Sequence, residues 1–396
     1  MPATKVAFTL VGGQKWTGGH SYLLNLFAAI KFASRCTIQP VLFVGDDVDL
    51  ADLGMYRELL DNNVVLAAAF RQSRRTTRWI RTSAFGIEPP TLREFERHAI
   101  EAVFENADFY GWRFPLPCVA WIPDFQHRHL PHMFNQRAYW KRELGFRAQI
   151  AGGRTIMLSS NDARTDCETF HPSTRGRIVV AKFAVKPPQV QHRIDHNLLE
   201  KYRLPVNFIY LPNQFWKHKN HLGVIEALRL LKEANKEVVV AASGNPADPR
   251  HPTHYQQLVE IVSRYGLEKN FRLLGLIPFV DVGGLAACCA ALINPSLFEG
   301  WSTTVEEAKA LGTPLLLSDI DVHREQAEVA ALYFDPHVPG QIANVLWQAV
   351  STDDPSDRER RRAAAAPEAE RRVDEYATQF QHAVEFAIAR HRGDRV

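Results

Sequence analysis

The 396-residue sequence predicts an α/β protein made of two Rossmann-like parallel-sheet domains. Three observations predict it. Short apolar runs of strand length alternate with longer stretches whose apolar residues recur at helical spacing, the pattern of a parallel sheet with helices on both faces. Several of the runs empty into polar loops rich in glycine, base or acid, and the carboxyl ends of such strands are where these sheets bind ligands. A proline-rich break, Lys186-Pro187-Pro188-Gln189, interrupts the alternation, since proline stops both strand and helix. A boundary there gives domains over residues 1–185 and 186–372, with 373–396 as a closing helix.

Composition excludes several classes. Hydrophobic residues make up 46% and charged residues 23%, as in a soluble globular protein, and a net charge of +3 is too small to argue for nucleic acid. The five cysteines, Cys36, Cys118, Cys167, Cys288 and Cys289, are odd in number and lack C-x-x-C spacing, so neither a disulfide framework nor a zinc site is expected. No apolar run reaches 18 residues, and the N-terminus enters its first strand without a charged region and cleavage site. The expectation is a cytoplasmic protein, compatible with peripheral attachment to a membrane.

Lys5 to Val11 is a strand that opens into the glycine-rich stretch Gly12 to Gly19, followed by a helix over Ser21 to Phe32. Glycines let backbone N–H groups approach a ligand closely. Val41 to Val44 is a second strand ending at Asp46 and Asp47, where a dinucleotide-binding acid would lie, but the glycines do not fall in the G-x-G-x-x-G pattern. Arg71, Arg74, Arg75, Arg78 and Arg81 recur at helical spacing with Trp79 and Ile80 beside them. Such a basic stripe suits an anionic membrane surface, a phosphorylated acceptor or simply solvent.

Val119 to Ile122 is a strand that empties into a loop holding His127, His129 and His132. No acid or cysteine completes a metal-ligand set with them, so no metal is expected. Thr155 to Ser159 reads as a strand followed by a helix cap at Ser159 to Asp162, and Ile178 to Ala181 as a further short strand. Phe208 to Leu211 restarts the alternation and leads into the basic loop Asn213 to His221, with a helix from Leu222 to Leu231. Val238 to Ala242 and Arg272 to Leu274 are the next strands. Arg358 to Arg372 is rich in Arg, Ala and Glu and is interrupted by Pro367, whereas Val373 to Ala389 regains helical spacing.

Ala290 to Ser318 holds the densest chemistry. Two strand-like runs, Ala290 to Ile293 and Pro314 to Leu317, flank one loop and about two helical turns. Thr303 with Glu306 three residues on fits a capping box, and Gly312 is the expected C-terminal stop. That spacing engages Glu306 in the cap and leaves Glu299 and Glu307 free. Free N–H groups at the helix start favour an anion, and two carboxylates beside them accept hydrogen bonds from sugar or ribose hydroxyls.

Ser296-Leu297-Phe298-Glu299-Gly300, then Glu307-Ala308 and Gly312-Thr313-Pro314, resembles the Glu-x7-Glu signature of retaining, nucleotide-sugar-dependent glycosyltransferases of family 4. The resemblance implies a GT-B fold, with the two domains facing across a cleft. It implies that Gly18-Gly19 lies near the donor phosphates and the acceptor, and that Lys219 contacts the donor diphosphate together with the helix start at Thr303. Glu307 would take the ribose, and Glu299 with Gly300 and the backbone N–H groups of Trp301 and Ser302 would take the sugar. The family's His-Asp pair reads Pro123-Asp124 here, which makes His127 the substitute candidate. The family's arginine position falls at Asn213 or Gln214, and Lys217 or a first-domain arginine would replace its charge.

The implied activity is transfer of a sugar from a GDP-, UDP- or dTDP-sugar to an acceptor hydroxyl, with retention and without a metal or other cofactor. The acceptor would be a saccharide or a lipid-linked glycan of cell-envelope polysaccharide or glycolipid synthesis. Two other readings stay open: a sugar-nucleotide epimerase of the same fold, and a non-catalytic nucleotide-sugar-binding subunit.

Overall fold

The computed structural model describes residues 3–10, 17–106, 108–186, 196–327 and 330–393. Residues 12–16 of the expected glycine loop and 187–189 of the proline break lie outside the described residues. The chain divides into two units, one of residues 1–125, 136–184 and 372–396, the other of residues 126–135 and 185–371. Residues 126–135, embedded among first-unit elements in sequence, thus group with the second unit.

The first unit holds strands β1 (Thr4–Thr9), β2 (Ile38–Val44), β3 (Val64–Leu66), β4 (Ala102–Asn106), β5 (Cys118–Trp121), β6 (Thr155–Leu158) and β7 (Ile178–Val180) in the order β3-β2-β1-β4-β5-β6-β7. The second holds β8 (Ile209–Leu211), β9 (Val240–Ser243), β10 (Phe271–Gly275), β11 (Ala291–Asn294), β12 (Leu315–Ser318) and β13 (Ala331–Phe334) in the order β10-β9-β8-β11-β12-β13. Every strand pairing among the described residues is parallel. The strand order therefore reverses direction between β1 and β4 and again between β8 and β11, and open parallel sheets bind ligands outside the carboxyl ends of strands at such reversals.

The second sheet is apolar on both faces because helices cover both. Leu211, Ile293 and Leu316 pack with Val224 and Leu228 of the helix His221–Glu233 and with Ile342 and Leu346 of the helix Pro339–Thr352. Leu292, Leu315 and Leu317 point the opposite way, against Val305 and Ala308 of the helix Thr303–Leu311. Strand side chains alternate between faces, so a strand buried on both sides reads as one unbroken apolar run.

Pro367 does not interrupt the closing helix, which runs from Arg358 to Arg392 as one element. Proline removes one backbone donor; burial of Ala369, Val373, Tyr376 and Phe380 holds the remaining turns together. Residues 372–392 belong to the first unit. There the Phe380 ring lies 5.8 Å from Phe8 and 5.7 Å from Phe104, and Gln381 Oε1 accepts from the Thr37 N–H at 2.7 Å.

Ser160 caps the helix Asn161–Phe170, its hydroxyl accepting from the Ala163 N–H at 3.0 Å. Gly312 ends the helix Thr303–Leu311 at φ 66°, in the left-handed region. A Cβ there would stand 2.4 Å from the Arg361 carbonyl oxygen. Gly312→Ala is expected to destabilise the protein by about 1–3 kcal/mol through backbone strain and that clash, read as a lowered urea midpoint with unchanged slope.

Candidate functional site

Three loops that follow β8, β11 and β12 build the site, and β8 and β11 are the neighbours across which the strand order reverses. The Leu297 N–H donates to the His218 carbonyl at 2.8 Å, which locks the first loop to the second. Lys219 ends a short 3-10 turn over Lys217–Lys219, and Asn220 follows at φ 55° as cap of the helix His221–Glu233. Asparagine tolerates this left-handed conformation, which turns the chain from loop to helix in one residue. Lys217 is exposed, and its N–H donates to Asp248 Oδ2 at 3.4 Å.

Lys219 and Glu299 meet directly. Lys219 Nζ donates to Glu299 Oε1 at 2.5 Å, and the Ser296 hydroxyl lies 2.6 Å from the same oxygen. Asn294, the last residue of β11, donates from Nδ2 to Ser302 Oγ at 2.8 Å and approaches Glu299 Oε1 at 3.4 Å. Its own oxygen accepts from Ser296 Oγ at 2.6 Å and from Asn213 Nδ2 at 3.1 Å. Burial would raise the Glu299 carboxyl, but the Lys219 ammonium and the surrounding donors hold it below its ordinary range.

This arrangement corrects the sequence expectation in two places. The helix Thr303–Leu311 takes Ser302, not Thr303, as its N-cap, and no side chain bonds the cap. Thr303 already has helical backbone, and the Ser302 hydroxyl is engaged by Asn294. Glu306 turns away from the cap, accepting from Lys309 Nζ at 3.1 Å and from Gln326 Nε2 at 2.9 Å. Glu299, expected to be free, is the most heavily bonded acid of the site. Lys219 reaches it across 80 residues of sequence, which no local spacing reveals.

Gln326 was invisible to sequence reasoning. It accepts the Ser302 N–H at 3.2 Å and returns a hydrogen bond to the Ser302 carbonyl at 2.8 Å, so the Ser302 N–H expected on the sugar already has a partner. His323, on the same short helix Asp321–Ala327, donates from Nδ1 to the Ser318 carbonyl at 3.0 Å. Burial lowers its imidazole to about 4, which leaves it neutral at pH 7. An apolar run ending in a polar turn, Leu315 to Asp321, was the available signal.

Glu307 behaves as an isolated acid. It is half-buried on the helix Thr303–Leu311, and burial pushes its carboxyl up to about 7. Gly300 and Trp301 lie on the turn between the two acids, both partly exposed.

His127 sits in the short helix Gln126–His129, fully buried, its ring 6.4 Å from Phe134. It is His129 whose ring stands against the acid-bearing loop, 5.0 Å from Phe298. Arg250 Nη1 donates to Gln126 Oε1 at 3.2 Å and Nη2 lies 3.3 Å from His218 Nδ1, tying this segment to the basic loop. Gly18 and Gly19 open the helix Thr17–Phe32 of the first unit. Among the described residues no group of three or more His, Cys, Asp or Glu is placed to hold a metal ion.

Residues 200–368 match the family model described as Glycosyl transferases group 1. Within that segment the chain resembles group 1 glycosyltransferases. The segment contains Lys219 and Glu299 with their hydrogen-bond partners, and Glu307, whereas Gly18, Gly19 and His127 lie outside it. A curated relative, "O-antigen chain mannosyltransferase B" of Escherichia coli, is 24% identical over 215 residues, 53% of this chain and 55% of that protein. The chain thus spans about half the length of that relative.

Among solved structures, a glycosyltransferase from Rickettsia africae superposes over 100% of both chains with a TM-score of 0.69 at 13% identity. Alr3699/HepE of Anabaena, solved in complex with UDP and glucose, gives a TM-score of 0.68 at 15% identity over 96% of this chain and 99% of that one. At such identities the likeness concerns the fold, which is GT-B.

Proposed function

We propose that the protein is a glycosyltransferase that moves a sugar from a nucleotide-diphosphate sugar to an acceptor hydroxyl with retention, in assembly of a cell-envelope polysaccharide of the O-antigen kind. The observation that carries the reading is the part-buried Lys219–Glu299 pair at the reversal point of the segment that matches the group 1 model, with Glu307 on the helix that follows. The mannosyltransferase relative supports the polysaccharide setting and a hexosyl donor, and the UDP-bound fold relative supports a nucleotide-linked one.

Transfer needs the diphosphate to leave while positive charge grows at the anomeric carbon. Fixed positive charge aimed at the leaving group lowers that barrier most. Lys219 supplies it, and Glu299 holds the ammonium in place through one carboxylate oxygen. Lys217, on the same loop, is the candidate for the charge that Asn213 does not carry. In a retaining transfer the acceptor attacks from the leaving-group face, with a phosphate oxygen as base; no residue of this chain is asked to serve as nucleophile, and no metal is required.

The test is product analysis with GDP-, UDP- and dTDP-sugars and lipid-linked glycan acceptors. The expected result is a sugar–acceptor product with release of nucleoside diphosphate. Isomerised donor formed without acceptor would point to an epimerase. Nucleotide binding with neither product would mark a binding subunit.

Glu307 gives the reading a pH signature. Ribose hydroxyls donate to the ionised carboxyl, so binding lowers its pKa from about 7 and releases a proton. Donor affinity should therefore rise by about tenfold from pH 6 to pH 8 and then level off, as titration calorimetry would show. Glu307→Gln should flatten that slope. An unchanged slope in the variant would remove Glu307 from the ribose.

A further inference from the structure

The arginines of the first unit, which the reaction above does not use, surround a cavity. It opens at the carboxyl ends of β1 and β2 and is lined by Thr9, Gly45, Arg71, Gln72, Arg75 and Arg78 with Asp108 on the same wall. Arg71, Arg75 and Arg78 are spaced four and three residues apart, and the helix Arg75–Phe85 presents the latter two on one face.

Two carboxylates orient these guanidiniums without cancelling them. Asp46 holds Arg71 in a bidentate pair, Nε to Oδ1 at 2.5 Å and Nη2 to Oδ2 at 2.7 Å. Arg78 donates to the Ala69 carbonyl at 3.2 Å and to Asp108 Oδ2 at 3.4 Å. Arg75 comes no nearer to Asp108 than 3.9 Å and keeps 45% of its side chain exposed. Asp47 also acts on Arg71 and Arg74 on Asp46, so four cations stand against three anions and leave one positive charge, with Arg75 the least engaged at the open concavity. Planar guanidiniums pair best with carboxylate or phosphate, and a pre-aligned guanidinium loses little freedom on binding.

We propose that this cavity is a phosphate-binding site, and that the phosphoryl group it takes belongs to the acceptor. Binding of the anion stands on the cavity alone; its assignment to the acceptor rests on the transferase reading. The shared chemistry is a phosphate mono- or diester, whether carried by a sugar phosphate or by a lipid headgroup.

Arg75→Gln is the test variant, because an exposed side chain can be changed without unfolding the unit. Inorganic phosphate titrated into the whole protein by calorimetry should bind at least about tenfold more weakly to this variant than to wild type, the loss expected for one charge-assisted contact. Arg97→Gln, an exposed arginine of the same unit outside the cavity, should leave phosphate binding intact. Equal phosphate affinity in wild type and Arg75→Gln, or an equal loss in Arg97→Gln, would overturn the site.

In transfer assays Arg75→Gln should raise KM for the acceptor and leave KM for the donor unchanged. A raised donor KM alone would overturn the acceptor assignment, while absence of any transfer in wild type would sink the transferase reading and leave the phosphate titration to stand or fall by itself. Vesicles of phosphatidylglycerol form the second arm. Arg75-dependent binding of both vesicles and phosphate places the ester on a lipid, phosphate alone places it on a soluble acceptor, and vesicles alone would show that the cavity takes no phosphate.

Discussion

Lys219→Ala is expected to lower kcat at saturating donor by roughly a hundredfold, on the order of 3 kcal/mol of lost stabilisation of the departing diphosphate. The contact strengthens as charge develops, so the loss should appear in turnover more than in donor affinity. The structure adds a second consequence. Against burial, Lys219 is the largest of the groups that hold the Glu299 carboxyl below its ordinary range, so its removal should raise that carboxyl. Glu299→Ala frees the ammonium from its ion-pair partner among the described residues and should lose activity in turn.

The two substitutions act on one unit, so the double variant should be hardly worse than the worse single. Losses that multiply would show that the lysine and the acid act separately. A Lys219→Ala enzyme within threefold of wild type would remove the lysine from the reaction altogether. The sign of the pH effect on stability follows from the same pair. A carboxyl held low in the folded state stabilises it above the unfolded pKa, and that contribution disappears as pH falls through the folded value.

The second large effect lies in the core of the first unit. Glu105, the last residue but one of β4, accepts from Arg154 Nε and Nη2 at 3.1 Å each and from the Tyr110 N–H at 3.1 Å, and Arg154 also donates to the Gly111 carbonyl at 2.7 Å. Both side chains are buried. Arg154→Ala leaves a carboxylate without its partner in a site that water does not reach, and should destabilise the protein by about 3–5 kcal/mol. Replacing both partners with apolar residues, Glu105→Leu with Arg154→Met, should cost much less, because no charge is stranded. Urea denaturation followed by circular dichroism separates the cases. A single variant that loses less than about 1 kcal/mol would mean that solvent or another group compensates the remaining charge.

That pair also explains a gap in what could be read from the chain. β4 was not expected, because Glu105 and Asn106 break the apolar run that marks a buried strand, and the arginine that makes the acid tolerable stands 49 residues downstream. β3 and β13 also escaped; both are edge strands of their sheets and only partly buried, unlike the central strands of the same length. Strands of unbroken apolar residues such as β8, β11 and β12 were legible, since burial on both faces requires such a run.

The sequence by itself determined the alternation of strand and helix, the GT-B class, the position of Gly312 and the identity of the residues on the loops after β8 and β11. Those properties depend on residue type and on spacing within a few turns, which the chain carries locally. Only the tertiary structure decided what each polar group does. It put Lys219 on Glu299, gave the cap to Ser302, turned Glu306 toward Gln326, set Arg154 on Glu105 and left Arg75 facing a cavity. The physical reason is that the strength and partner of a hydrogen bond or charge depend on distance, burial and competing donors, and parallel-sheet crossovers assemble those from residues tens of positions apart.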